Sequence, residues 1–105
     1  MPQPEETPSY RPLAEPPDVA TSTQSVELLR AWLLDGRLNC VLLPTVWKET
    51  PGAWGLLLAD VVAHLANALS EETGLSRQEL HSRIRLALLA ELERPTDTPS
   101  GAFLA

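Results

Sequence analysis

The 105-residue chain has one cysteine, Cys40, so an internal disulfide is excluded, and no His/Cys grouping has the spacing of zinc ligands. Unbroken apolar runs are short: the longest apolar segment, Trp54 to Leu69, is interrupted by Asp60, His64 and Asn67, which argues against a bilayer span. Basic residues are scarce, 8 Lys and Arg against 14 Asp and Glu. The resulting net charge of −6 disfavours tight non-specific binding to nucleic acid or to an anionic membrane surface. A basic start followed by an apolar run is missing from the N-terminus, so no secretory signal is read and a soluble cytoplasmic protein is expected. Gly-rich phosphate loops, serine elbows and metal triads do not occur either, so no cofactor or metal is expected.

What is present divides unevenly along the chain. Residues 1–24 hold six of the ten prolines and almost no large apolar side chains. Such a segment buries too little surface to offset the entropy of ordering, and it reads as an acidic, disordered tail. Residues 96–105, interrupted by Pro99 and Gly101, read as a flexible C-terminal tail. Between them, 25–95 is left to make a single domain. A core that small is marginal without a staple or a partner, and with no staple in the sequence a homodimer is expected.

Residues 26–43 carry the clearest pattern. If Asp35-Gly36 forms a two-residue turn, Leu33 lies opposite Leu38, Ala31 opposite Cys40 and Leu29 opposite Leu42. One register then makes one face of a hairpin wholly apolar, and Asp-Gly is a preferred pair where both central residues need positive φ. A short helix capped by Ser25 and ended by Gly36 also fits Leu28, Leu29, Trp32 and Leu33. The hairpin is preferred because it accounts for both segments at once. The greasy face is expected to point toward the helices that follow. The free edges of so small a ribbon invite pairing with a second copy across a dimer axis, unless Arg30 and Arg37 blunt them.

Thr50 before Pro51 has the look of an N-cap with proline in the first turn. From there Trp54, Leu57, Leu58, Val61, Val62, Leu65, Ala68 and Leu69 recur at helical spacing as a broad buried stripe, and Gly74 is placed to end the helix. Beside it run the small residues Gly55, Ala59, Ala63, Ala66 and Ser70, where another helix can approach closely; a dimer seam and packing against the last helix of the same chain remain equally open. Ser76-Arg-Gln-Glu79 is a capping box that opens the last helix, with Leu80, Ile84, Ala87, Leu88 and Leu92 inward and Pro95 at its end. Leu86 and Leu89 fall away from that stripe. The fold class read from this order is α+β: an antiparallel β-hairpin followed by two α-helices packed on one face, dimerising.

In this order, Trp47-Lys-Glu, then Trp54-Gly-Leu-Leu-Leu-Ala-Asp-Val-Val-Ala-His-Leu-Ala, then Arg83-Ile-Arg85 and Pro95-Thr-Asp97 resemble the domain of unknown function 5076 family. The resemblance spans most of residues 26–101. It implies a small free-standing bacterial protein and brings no activity, substrate or catalytic residue with it.

Three functional readings follow from the residues. A non-catalytic, self-associating protein acting through protein contacts is favoured, with Trp32, Gly55, Ala59, Ala63, Ala66, Leu86 and Leu89 as the candidate interface. A small-molecule-binding or weakly catalytic module would use Asp60, His64 and Asn67, which share one side of a helix; a carboxylate beside an imidazole can orient a general base. A surface ion pair explains the same spacing, and no nucleophile is nominated, so an enzyme is the less favoured reading. Cys40, on the predicted apolar face, reads as a small buried hydrophobe rather than a reactive thiolate. A DNA-binding regulator would use the last helix, where Arg77, His81 and Arg85 repeat every four residues beside Arg83, after a Gly-containing turn. The acidic chain and the Glu79–Arg83 spacing stand against it.

Overall fold

A computed structural model describes residues 9–96 and 101–103. Two antiparallel strands, β1 (Leu29–Leu34) and β2 (Arg37–Leu42), meet at the Asp35-Gly36 turn. Both turn residues have positive φ, 51° at Asp35 and 82° at Gly36, the combination that matches a hairpin's right-handed twist. The register is Leu33 to Leu38, Ala31 to Cys40 and Leu29 to Leu42, the pairing expected from the sequence. Residues 26–34 contain no helix.

A 3₁₀ turn, Pro44–Trp47, carries the chain into the long helix, labelled α2 (Gly52–Thr73) because a four-residue helix α1 (Asp18–Thr21) precedes the hairpin. Trp47 and Trp54 meet edge to face across this corner, ring centres 5.2 Å apart, which ties the 3₁₀ turn to the first turn of α2. The expected Thr50 side-chain cap does not form. Pro51 flanks the helix start in helical geometry, and the Thr50 carbonyl accepts from the Ala53 amide. Proline there already fixes a helical φ and has no N–H to satisfy.

Gly74 ends α2 in the left-handed region, at φ 77°, with its amide donating to the Ser70 carbonyl. The Ser70 hydroxyl donates to the Leu75 carbonyl at 2.7 Å, and the Leu75 amide donates to Thr73 Oγ1 at 3.2 Å, so the reversal is tied at both ends. Helix α3 (Arg77–Glu93) opens where Ser76 Oγ accepts from the Glu79 amide at 3.0 Å. The reciprocal half of the capping box is not made; the Glu79 carboxylate pairs with Arg83 at 2.7 Å.

Helices α2 and α3 pack on each other, and the two buried apolar residues among those described lie one on each: Ala66 at 0% exposure and Leu80 at 8%. The small-residue stripe is thus partly used within the chain. Ala66 is buried and Ala63 and Ser70 are half-buried, whereas Gly55 and Ala59 are exposed. The large-residue stripe expected to be buried is only partly covered: Trp54, Leu57 and Val62 are half-buried, whereas Leu58, Val61, Leu65 and Leu69 are exposed. On α3, Ile84 is half-buried, and Leu88 and Leu92, expected inward, are exposed along with Leu86 and Leu89. By length and composition alone α2 passes for a membrane span, although Asp60, His64 and Asn67 sit in its middle.

The hairpin's apolar face is also left open. Leu33 is 74% and Leu38 60% exposed, with Cys40 and Leu42 half-buried. The extensive contacts in the molecule are those within the hairpin, between the two helices, and between β2 and a third strand; the helices do not close over the sheet. That third strand, β3 (Gly101–Phe103), runs parallel to β2 with Gly101 beside Cys40, in a segment where the sequence suggested no strand. Within the N-terminal segment expected to be disordered, the structure places α1 and stacks Tyr10 on Trp32, centres 5.7 Å apart and rings 9° from parallel. The part of that tail before residue 9 lies outside the described residues.

Candidate functional site

The polar trio of α2 is held by helical spacing alone. Asp60 and His64 are four residues apart and both exposed, and no hydrogen bond or ion pair joins them among the described residues. Asn67 is engaged elsewhere: its Oδ1 accepts from Arg77 Nε at 2.5 Å, across the α2–α3 turn. The three therefore share a face of α2 without forming a hydrogen-bonded unit. Asn67 acts as a strut between the helices, holding Arg77 at the start of α3. No group of three or more His, Cys, Asp or Glu side chains among the described residues is arranged to hold a metal ion.

The basic edge of α3 resolves residue by residue. Arg77 is bound to Asn67, and Arg83 donates to Glu79. His81 is half-buried and Arg85 exposed. An open depression of about 500 Å³ lies at the start of this helix, lined by Ser76, Gln78, Glu79, Ser82 and Arg83. Its walls come from successive turns of one helix, so it is a shallow groove along a surface rather than a cleft between elements. Buried charged or polar side chains, the usual mark of a desolvated reaction site, are absent among the described residues.

The exposed carboxylates that do depart from ordinary behaviour are structural. The side-chain hydrogen bond from Arg30, with its charge, holds Glu27 below the usual carboxylate range and raises Arg30 in turn; the pair is bidentate, at 2.6 and 2.9 Å. Glu91 is lowered by hydrogen bonds from the Thr96 amide and hydroxyl, at 3.0 and 2.8 Å, a clasp that ties the chain after Pro95 back to α3.

Of the candidate interface residues, Trp32 is half-buried under Tyr10, Leu86 and Leu89 are exposed, and Ala66 is enclosed. Of β1 the candidate interface includes Trp32 alone, although the sequence already marks the ribbon's free edges as open to a second copy. The sheet order is β1-β2-β3, so β1 forms one edge. The Leu43 amide donates to the Leu28 carbonyl, which fixes the alternation of the ladder: residues 28, 30, 32 and 34 bond to β2, while the backbone groups of Leu29, Ala31 and Leu33 point outward. The register was readable from the sequence, and the outward set follows from it once the turn is fixed.

Comparison with known proteins bears on the same segment. Residues 12–96 match the family described as Domain of unknown function (DUF5076). The chain belongs to that family. The match begins inside the proline-rich segment, so the family's common region includes the stretch that carries α1 and leads into β1. A solved structure described as "Structure of a putative pyruvate dehydrogenase from the photosynthetic bacterium Rhodopseudomonas palustrus CGA009" is similar to this chain, with 39% identity and a TM-score of 0.67. The similarity covers 88% of this chain and 91% of that one. No protein with a curated description matches.

Proposed function

We propose that this member of the domain of unknown function 5076 family is a non-catalytic, self-associating protein that works through protein contacts. The observation that carries the reading is the apolar surface left in water. The chain exposes 9427 Å², whereas a compact monomer of 11.5 kDa exposes about 5,800 Å². Its radius of gyration is 16.6 Å against about 13 Å for a compact domain of this length. The described residues 9–27, almost all exposed, account for part of that excess. The rest is side chains such as Leu33, Leu38 and Leu56, the last 71% exposed. Exposed leucines taken singly mean little, but contiguous ones on a sheet face and along two helices mark a surface that binds protein. A partner interface of ordinary size removes about 800 Å² from each side, well within what this chain has to cover.

The dehydrogenase description of the structural neighbour would ask this chain to hold pyruvate. The groove at Ser76, Glu79 and Arg83 is one such place among the described residues, and it offers one arginine already paired to Glu79. An NMR titration with pyruvate is expected to leave the Arg83 and Ser76 signals unmoved. Saturable shifts there would favour the ligand-binding reading.

Self-association is tested by replacing Leu33 and Leu38 together with Lys. Light scattering at micromolar concentration is expected to give about twice 11.5 kDa for the unaltered chain and the monomer mass for the double variant. Equal masses for the two would overturn the role given to the hairpin face.

A further inference from the structure

We infer that the second copy is taken on through the free edge of β1, in an antiparallel pairing whose two-fold axis passes between the two Ala31 residues. The inference deepens the self-association reading and rests on it. Backbone geometry selects both the edge and the register. Leu29, Ala31 and Leu33 present their N–H and C=O groups away from β2, and no hydrogen bond among the described residues satisfies them. Such an edge is a template for another strand.

A two-fold axis makes the pairing self-complementary, so opposed residue numbers must add to a constant. Centring on Ala31 sets Ala31 against the second copy's Ala31 and Leu29 against its Leu33. All three outward residues of each copy then meet outward residues of the other, and every one exchanges both of its backbone bonds. Sliding the axis to Arg30 or Trp32 loses a third of those bonds. At Arg30 the slide also sets two guanidinium groups face to face, a like-charge pair directly opposed across strands.

The Ala31 register avoids this. On the other face it places each Arg30 opposite the second copy's Trp32, a pairing of cation and indole that the Tyr10 stack already orients. The nearest approach of like charge, Glu27 toward the second copy's Asp35, falls outside the six-residue strand, and Glu27 is neutralised by its own Arg30. The product is a six-stranded sheet, β3-β2-β1-β1-β2-β3. Its apolar face is continuous, because Leu29, Ala31 and Leu33 lie on the same side as Leu38, Cys40 and Leu42. Small side chains at the axis and leucines to either side let the two strands approach without a clash.

The test uses the full chain with Cys40→Ser, which removes its one cysteine, plus Ala31→Cys. Directly opposed residues of a bonded antiparallel pair have Cα atoms about 5.5 Å apart, within disulfide reach. Mild oxidation at micromolar concentration is expected to convert most of the chain to a covalent dimer. The matched variant with Leu34→Cys, exposed on the same strand but about 20 Å from its symmetry mate in this register, is expected to give less than a tenth as much. A third variant, Ala31→Pro, removes an outward N–H while leaving the bonds to β2 intact, and is expected to raise the dissociation constant at least tenfold with unchanged circular dichroism. Equal cross-linking at 31 and 34, or none at 31 in a chain that light scattering shows to be dimeric, overturns the β1 pairing and leaves self-association standing. A monomer mass for the unaltered chain overturns both.

Discussion

The hairpin and the helix pair are built by opposite means. Between α2 and α3 the order comes from packing: Ala66 and Leu80 are enclosed, the turn at Gly74 is tied by Ser70 and Thr73, and Arg77 is strapped back to Asn67. In the hairpin it comes from backbone geometry, with two positive-φ turn residues and a six-rung ladder, while the apolar side chains that the register gathers stay in water. The helix pair has a small enclosed centre of its own at Ala66 and Leu80, although its outer leucines stay exposed. The hairpin is specified in detail and then left uncovered on its apolar face, with β3 paired to β2 and the outer edge of β1 open.

The contrast can be broken most severely at Leu80. Leu80→Ala should cost about 2–3 kcal/mol in urea unfolding, because it opens a cavity at the one place where both helices enclose an apolar side chain. Loss under 1 kcal/mol would mean that the helix pair is as loosely covered as the sheet. Gly36→Val comes next, at about 1–2 kcal/mol, since a β-branched residue must then hold the left-handed conformation at φ 82°. Amide exchange should speed up at residues 29–42 and remain slow in α2 and α3. Uniform acceleration would show that the two regions unfold together.

A milder change, Ser76→Ala, should cost about 1 kcal/mol by removing the acceptor for the Glu79 amide, read as fraying of the first turn of α3 alone. The smallest effect is electrostatic. Folded Glu91 binds its proton less readily than unfolded Glu91, so its contribution is complete above the ordinary glutamate range and is lost as pH falls through its lowered value. The Thr96 amide shift followed through an acid titration should step below that range, and Glu91→Gln should abolish the step.

Those two regions also differ in how far the sequence discloses them. Leu29 to Leu42, Ala31 to Cys40 and Leu33 to Leu38 follow from a period of two and a two-residue turn, so the ladder can be written out before any coordinates. Gly74 and Ser76 are equally local signals, and both act as read. Thr50 makes no side-chain cap; its carbonyl, accepting from the Ala53 amide, closes the turn instead. The stripe from Leu58 to Leu69 has the spacing of a buried face, yet spacing tells only which side chains share a side, not what covers them. Tyr10 on Trp32 and β3 on β2 join residues far apart in the chain, and short-range patterns carry no trace of either. The same limit applies to the polar trio: helical spacing puts Asp60, His64 and Asn67 together, but Arg77, which takes Asn67, arrives only through the turn at Gly74.

A single copy with this much apolar surface uncovered should not persist alone in solution. Sedimentation equilibrium on the unaltered chain, carried from low to high micromolar concentration, measures that directly. The prediction is a mass near twice 11.5 kDa over most of the range, falling toward one copy only at the most dilute end. A mass of 11.5 kDa at every concentration would contradict it.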